Sequence, residues 1–153
     1  MKTKIVIAAF TSAVLSLFAA DAPQGLSHRL SVTPEIKKAF HGSDAIEIKE
    51  ITGTSDKFQV GGSYRVVGVC RQASLKNAQL YLGNTAEKGG DAIRAAAGSS
   101  LYMSLKDEKT EFDITFTLLR PGILHLTVYD MDSRDKNDSA FAGIYIGDVV
   151  YKH

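Results

Sequence analysis

A single cysteine, Cys70, is all that this 153-residue chain contains. No internal disulfide can form, so packing must hold the fold together. Neither sign of charge is in excess: 18 Lys and Arg stand against 17 Asp and Glu. Without Lys2 and Lys4 the balance is 16 against 17, a formal charge of −1. A near-neutral chain has no generic pull toward nucleic acid or an anionic membrane surface. Beyond residue 20 no apolar run approaches the roughly 20 residues of a membrane-spanning helix.

Catalytic signatures are missing as well. Ser99-Ser100 has no Gly-x-Ser-x-Gly context. Gly61-Gly62 and Gly89-Gly90 are not followed by Lys-Ser/Thr or a helix start, so they read as turns and not as phosphate loops. His28, His41, His125 and His153 are scattered, and His125 has no acid or nucleophile beside it in sequence. No internal repeat or domain linker is present. What remains is an ordinary core-forming composition, 44% hydrophobic and 23% charged, and the expectation is a protein that is not an enzyme.

Residues 1–20 stand apart. Lys2 and Lys4 precede an apolar run from Ile5 to Phe18, and the small residues Ala19, Ala20 and Ala22 follow. This is the plan of a secretory signal peptide cut within 19–22, and it predicts a secreted or periplasmic protein. Residues 21–60 read as a lead-in. Thr33-Pro34-Glu35 has a cap, a first-turn proline and an acid, which predicts one short helix from Pro34 to His41 ending at Gly42.

From there the apolar period is two. Ile46 and Ile48 oppose Glu47 and Lys49, and the alternation breaks at Glu50-Ile51. Phe58 to Val60 is a second short strand, and Tyr64 to Cys70 is strongly β-prone. Ala78, Leu80 and Leu82 alternate with Gln79 and Tyr81, and Arg94 to Ser100 reads as irregular. Leu101, Met103 and Leu105 point one way, and the charged run Lys106 to Glu111 predicts an exposed hairpin turn. Phe112, Ile114, Phe116 and Leu118 alternate with Asp113, Thr115 and Thr117. Arg120-Pro121-Gly122-Ile123 predicts a type II turn with glycine at positive φ. Leu124, Leu126 and Val128 face inward on the next strand, with His125 and Thr127 outward. Tyr81 lies on the outward face of its strand and is expected to be covered by the segment before Gly61. Seven or eight short strands with little helix predict an all-β, two-sheet antiparallel β-sandwich over residues 61–153, with one short N-terminal helix.

The one chemical lead follows the clearest strand. Tyr129 to Asp138 carries Asp130, Asp132, Asp135 and Asp138. In extended chain, residues i and i+2 project to the same side, so Asp130 and Asp132 aim two carboxylates at one point. Asp138 returns six residues later. All donors are hard oxygens without His or Cys, which suits calcium and not zinc. The alternative is a solvated loop that caps its own backbone, neutralised by Arg134 and Lys136.

Leu124-His-Leu-Thr-Val-Tyr-Asp-Met-Asp132, with Asp138 and Gly147-Asp148-Val149, resembles the closing half of the calcium/phospholipid-binding C-two domains. Glu111-Phe-Asp-Ile-Thr-Phe116 resembles that family's penultimate sheet segment, so the likeness spans residues 101–150. It implies a sandwich in which Asp130, Asp132 and Asp138 ligate calcium. The loop matching the family's first calcium loop, Arg71 to Asn77, contains no acid, which implies a low-affinity site and argues against lipid binding. Val67-Gly-Val69, Leu75 to Leu82 and Leu119-Arg-Pro-Gly122 are similar to transthyretin-like or carboxypeptidase-regulatory modules, which are exported and structural. The expected function is an exported, non-enzymatic binding module with a weak calcium site. The alternative is a metal-free sandwich that contacts another protein of the envelope or secretome.

Overall fold

The computed structural model describes residues 25–87, 89–135 and 139–152; residues 1–20, which the sequence analysis reads as a signal peptide, and Asp138 lie outside them. The chain folds into two five-stranded antiparallel sheets, and no helix occurs among the described residues. The strands are β1 (His28–Arg29), β2 (Glu35–Lys38), β3 (Ala45–Gly53), β4 (Ser63–Arg71), β5 (Ala78–Thr85), β6 (Ile93–Ala95), β7 (Tyr102–Leu105), β8 (Lys109–Leu118), β9 (Gly122–Asp130) and β10 (Ala140–Val149). The first sheet has the order β1-β3-β4-β8-β6 and the second β2-β10-β9-β5-β7.

Period-two alternation sets which face of each strand is buried. On the first sheet, Tyr64, Val66 and Cys70 of β4 and Phe112, Ile114, Phe116 and Leu118 of β8 are buried. On the second, Leu80 and Leu82, Leu124, Leu126 and Val128, and Ile144 and Ile146 are buried and join them in one core. Each such side chain stabilises the fold by about 1.5–3 kcal/mol. All four sheet edges are short strands of two to four residues, which limits edge-to-edge pairing.

Several local expectations are corrected. Pro34 to His41 is not a helix; Glu35–Lys38 forms β2, with Ile36 opposite Ile144 and Glu35 opposite Tyr145. A helix of so few residues is marginal in water, whereas β2 satisfies backbone groups on the open side of the ten-residue β10. The break at Glu50-Ile51 does not end a strand. The β3–β4 register shifts between Ile48 and Glu50, a bulge that changes the phase and lets β3 run on to Gly53. Residues before Gly61 thus supply β1, β2 and β3. Phe58 to Val60 makes only an isolated bridge, Gln59 to Val150. Lys106 to Glu108 is no hairpin turn, because β7 and β8 belong to different sheets and the segment crosses between them. Ile93–Ala95, read as loop, pairs with β8.

Gly122 has no positive φ and opens β9. Glycine is needed there for close approach: a Cβ would stand 2.4 Å from Asn84 Oδ1 and 2.4 Å from the Thr85 carbonyl oxygen.

Tyr64 pins the β3–β4 connection. Its hydroxyl donates to the Lys57 carbonyl at 2.5 Å and accepts from the Gln59 N–H at 2.8 Å. Its ring is fully buried against Phe58 and Phe116. Tyr64→Phe removes both bonds and keeps the ring. Urea unfolding is expected to show a loss of about 1–2 kcal/mol without a change in m.

Candidate functional site: the outer face of the second sheet

The two outward faces differ in chemistry. That of the first sheet is a solvated charged face, with Arg65 and Asp113 paired across β4 and β8, Lys49 near Glu111 at 3.4 Å and Arg71 near Glu47 at 3.7 Å. The Arg65 guanidinium holds the Asp113 carboxyl below its usual range, chiefly by hydrogen bonding. Such exposed pairs add little stability.

The second sheet carries aromatic rings instead. β5 and β7 place Tyr81 directly opposite Tyr102, and the rings stack with centroids 4.5 Å apart and planes 19° off parallel. β5 and β9 place Gln79 opposite Tyr129, whose ring lies 6.2 Å from Tyr81 at 55°. His125 meets Tyr81 edge-on at 6.0 Å. Gly83 makes this possible, since a Cβ there would stand 2.5 Å from the Tyr81 ring and 2.8 Å from His125. Burial, followed by the neighbouring Tyr102, pushes the Tyr81 phenol up to about 12. At neutral pH it is both a donor and an acceptor.

Beside these rings a recess of about 450 Å³ opens, within the range of small-molecule sites. Gln79, Tyr81, Tyr102 and Tyr129 come from the strands, and Asp130, Met131, Ser133 and Ser139 from the acidic loop. The loop is tied to the sheet at its root: the Asp130 N–H donates to the Ser139 carbonyl at 2.9 Å, and the Met131 N–H to the Asn77 carbonyl at 3.0 Å.

Asp130 and Asp132 are held separately. Asp130 Oδ1 accepts the Asp132 N–H at 2.9 Å, while Asp132 Oδ1 accepts from Asn77 Nδ2 at 3.1 Å. One oxygen of each thus serves the loop's own hydrogen bonds. The end of the Arg71–Asn77 loop shares this rim through Asn77. Among the described residues no three metal-ligating side chains gather; Asp138, expected as the third ligand, is outside them.

On the same face, further along β9, lies a buried polar cluster. Lys37 reaches from β2 across β10 and donates to Thr127 Oγ1 at 3.1 Å, which lies 2.9 Å from His125 Nδ1. Both His125 (5% exposed) and Thr127 (0%) are buried, although their phase points them away from the core. The cover expected over Tyr81 from the segment before Gly61 falls here: that segment's Lys37 covers Thr127, while the ring contacts of Tyr81 come from Tyr102, Tyr129 and His125. Burial, and then the Lys37 charge, pull the His125 imidazole down to about 4. Nδ1 then serves as acceptor toward Thr127 and Lys37, an assignment made from the network. Cys70 is buried, and burial pushes its thiol up to about 12, which leaves it inert.

No family model, curated protein or solved structure matches this chain. The likenesses to C-two and transthyretin-like modules therefore rest on the sequence alone. The sequence alone does not mark Tyr102 and Tyr129 as site residues. The signal was an aromatic in the outward phase of separate strands, and it becomes visible only once β7, β5 and β9 are known to be neighbours.

His125 gives a pH dependence of definite sign. Its folded pKa lies below the ordinary value, so the folded state resists the proton. The stabilisation is complete above about pH 6.5 and is lost as pH falls toward 4, by up to roughly 3 kcal/mol. Urea midpoints between pH 7 and 4.5 are expected to fall for the natural chain. For His125→Gln the dependence over that window should be much flatter; equal slopes would remove His125 as the cause.

Proposed function

We propose that this chain is an exported, non-enzymatic binding module, and that its ligand enters the tyrosine-walled recess beside the acidic loop. One observation carries the reading: three tyrosines converge with Gln79 and the loop's hydroxyls on one open hollow, while the outer face of the opposite sheet carries the ion pairs Arg65–Asp113 and Arg71–Glu47. Tyrosine offers an apolar ring and a hydrogen-bonding tip, the combination that recognition surfaces use.

The non-enzymatic part rests on access. Lys37, Thr127 and His125 are group types that can activate a hydroxyl, but Thr127 has no exposed surface and does not line the recess. Among the described residues the recess offers a lone carboxylate and no base paired to a nucleophile.

A second element of the reading is calcium in the acidic loop. It is supported by the rim that Asn77 shares with Asp132, and by the oxygen of each aspartate not engaged in the hydrogen bonds above. Asp130, Asp132 and Asp138 would hold the ion. Bound there, it would stiffen one wall of the recess.

Protein-observed NMR with a panel of small polar and aromatic fragments tests the recess. Shifts are expected to cluster on Gln79, Tyr81, Tyr102 and Tyr129 and on the loop residues Met131 and Ser133. Shifts scattered over the surface, or centred on the ion-paired sheet, count against it.

Thermal melts in calcium test the loop. At ten times its dissociation constant the ion adds about 1.4 kcal/mol and raises the melting temperature by a few degrees. Asp132→Asn is expected to abolish the rise. An unchanged melting temperature at millimolar calcium removes the ion from the reading.

A further inference from the structure

A second hollow, of about 260 Å³, lies between the β2–β3, β4–β5 and β7–β8 connections. Those connections, residues 39–44, 72–77 and 106–108, are described throughout. Ser43 and Asp44 line it from the first, Gln72 from the second and Glu108 from the third, with Arg71 at the end of β4 and Lys109 at the start of β8. Two hydrogen bonds tie the walls together. The Ala73 N–H donates to Asp44 Oδ1 at 2.8 Å, and the Gln72 N–H to the Glu108 carbonyl at 2.9 Å. The volume falls under the roughly 300–1,000 Å³ of drug-sized sites, so the hollow suits a smaller ligand.

Two features of this hollow are unbalanced, and they are opposite in sign. Asp44 is 8% exposed, and its Oδ2 is buried with no hydrogen-bond partner. A buried acceptor of that kind is costly until a donor reaches it, and a carboxylate is served best by a cationic donor. Arg71 and Lys109 stand directly opposite each other in the β4–β8 ladder. Like charges so placed repel, and an anion between them relieves the repulsion. Arg71 lies 3.7 Å from Glu47 Oε2, too long for a hydrogen bond, which leaves its guanidinium donors open to another carboxylate.

We propose that this hollow binds the zwitterion of a small α-amino acid, its ammonium donating to Asp44 Oδ2 and its carboxylate lying between Arg71 and Lys109. One ligand then meets both needs, because its two charges sit on either side of a single carbon. The buried Asp44 makes the stronger contact. Arg71, Lys109 and Glu108 are exposed, so solvent screens them, and the two cations chiefly orient the ligand. They also repel a bare metal ion. Asp44 Oδ2 has almost no open surface, so a neighbouring side chain must yield to the ammonium; Ser43, exposed and adjacent in the chain, is placed to do so. The proposal is independent of the tyrosine-walled recess, since no described residue lines both hollows.

Calorimetry and amide NMR of the whole protein would use glycine, L-alanine and L-serine, with methylammonium, acetate and calcium chloride as counter-probes. At least one amino acid is expected to bind at or below about 1 mM, with amide shifts on Ser43, Asp44, Ala73 and Lys109. Methylammonium and acetate should each bind at least about tenfold more weakly. Asp44→Asn is expected to remove binding. Arg71→Gln combined with Lys109→Gln, at exposed positions, is expected to weaken it at least about tenfold with an unchanged melting temperature, which keeps the proposal testable if Asp44→Asn fails to fold.

No response to any of the three amino acids at about 10 mM overturns the proposal, and the unpaired oxygen is then met by water alone. Methylammonium binding as tightly as the amino acids overturns the zwitterion. Calcium that shifts the Asp44 and Ala73 amides where amino acids do not overturns it in favour of an ion. Binding untouched by Asp44→Asn and by the paired substitution puts the amino acid elsewhere and overturns it as well.

Discussion

Strand β9 is buried on both sides, and the outer face of the second sheet is organised by that fact. Leu124, Leu126 and Val128 fill the core side, while His125 and Thr127 are shut off from water on the other. Among the described residues no third layer of strands covers them. The cover is made of long side chains that reach in from the flanks, Lys37 from one and Tyr81 from the other. Buried polar groups must find partners. The order Lys37 to Thr127 to His125 satisfies three of them in one line. Two glycines leave the space this needs: Gly83 under Tyr81 and His125, and Gly143 beside Thr127, where a Cβ would lie 3.2 Å from Oγ1. The aromatic wall is thus first a lid over the central strand. The recess opens where the lid ends, at Tyr129 and the loop beyond it.

The same strand order explains why the rim is chemically mixed. β9 ends and β10 begins where β5 begins, so the loop from 131 to 139 stands beside Asn77 and Ala78. Asn77 meets that loop twice, through its carbonyl and its amide. The Asn77 amide donates to the Asp132 carboxylate and so balances part of its charge without a cation. The loop's own hydrogen bonds take one oxygen of Asp130 and one of Asp132, which lowers the charge repulsion that any ion would otherwise be needed to relieve.

Much of the sandwich could be read from alternation alone. β8 pairs with β4 residue for residue from Ser63–Thr117 to Arg71–Lys109, and its inward set is the one its sequence shows. Where the phase changes, reading failed. A bulge after Ile48 made one long strand look like a short one. Thr33-Pro34-Glu35 has the chemistry of a helix start, yet a distant partner, β10, decided the outcome. Lys106 to Glu108 looks like any polar turn, and nothing local says that it crosses from one sheet to the other. The site divides in the same way. The acidic loop was visible as a run of like charge. The tyrosine pair was not, because Tyr81 and Tyr102 become neighbours only through strand pairing.

A face made this way has a particular division of labour. The strand-borne rings are positioned by ladders that also hold the core, so they cannot move without loss of stability. Tyr81 in particular touches both the closed cluster, through His125, and the open recess, through Tyr102 and Tyr129. Changing His125 or Gly83 would therefore be felt at the recess through Tyr81, although neither lines it. The loop wall is different. It is tied at Asp130, Ser139 and Asn77, and its described residues from Met131 to Asp135 lie outside the core. On the proposed site, affinity for the general shape of a ligand would be set by the sheet, and discrimination among related ligands would fall to the loop.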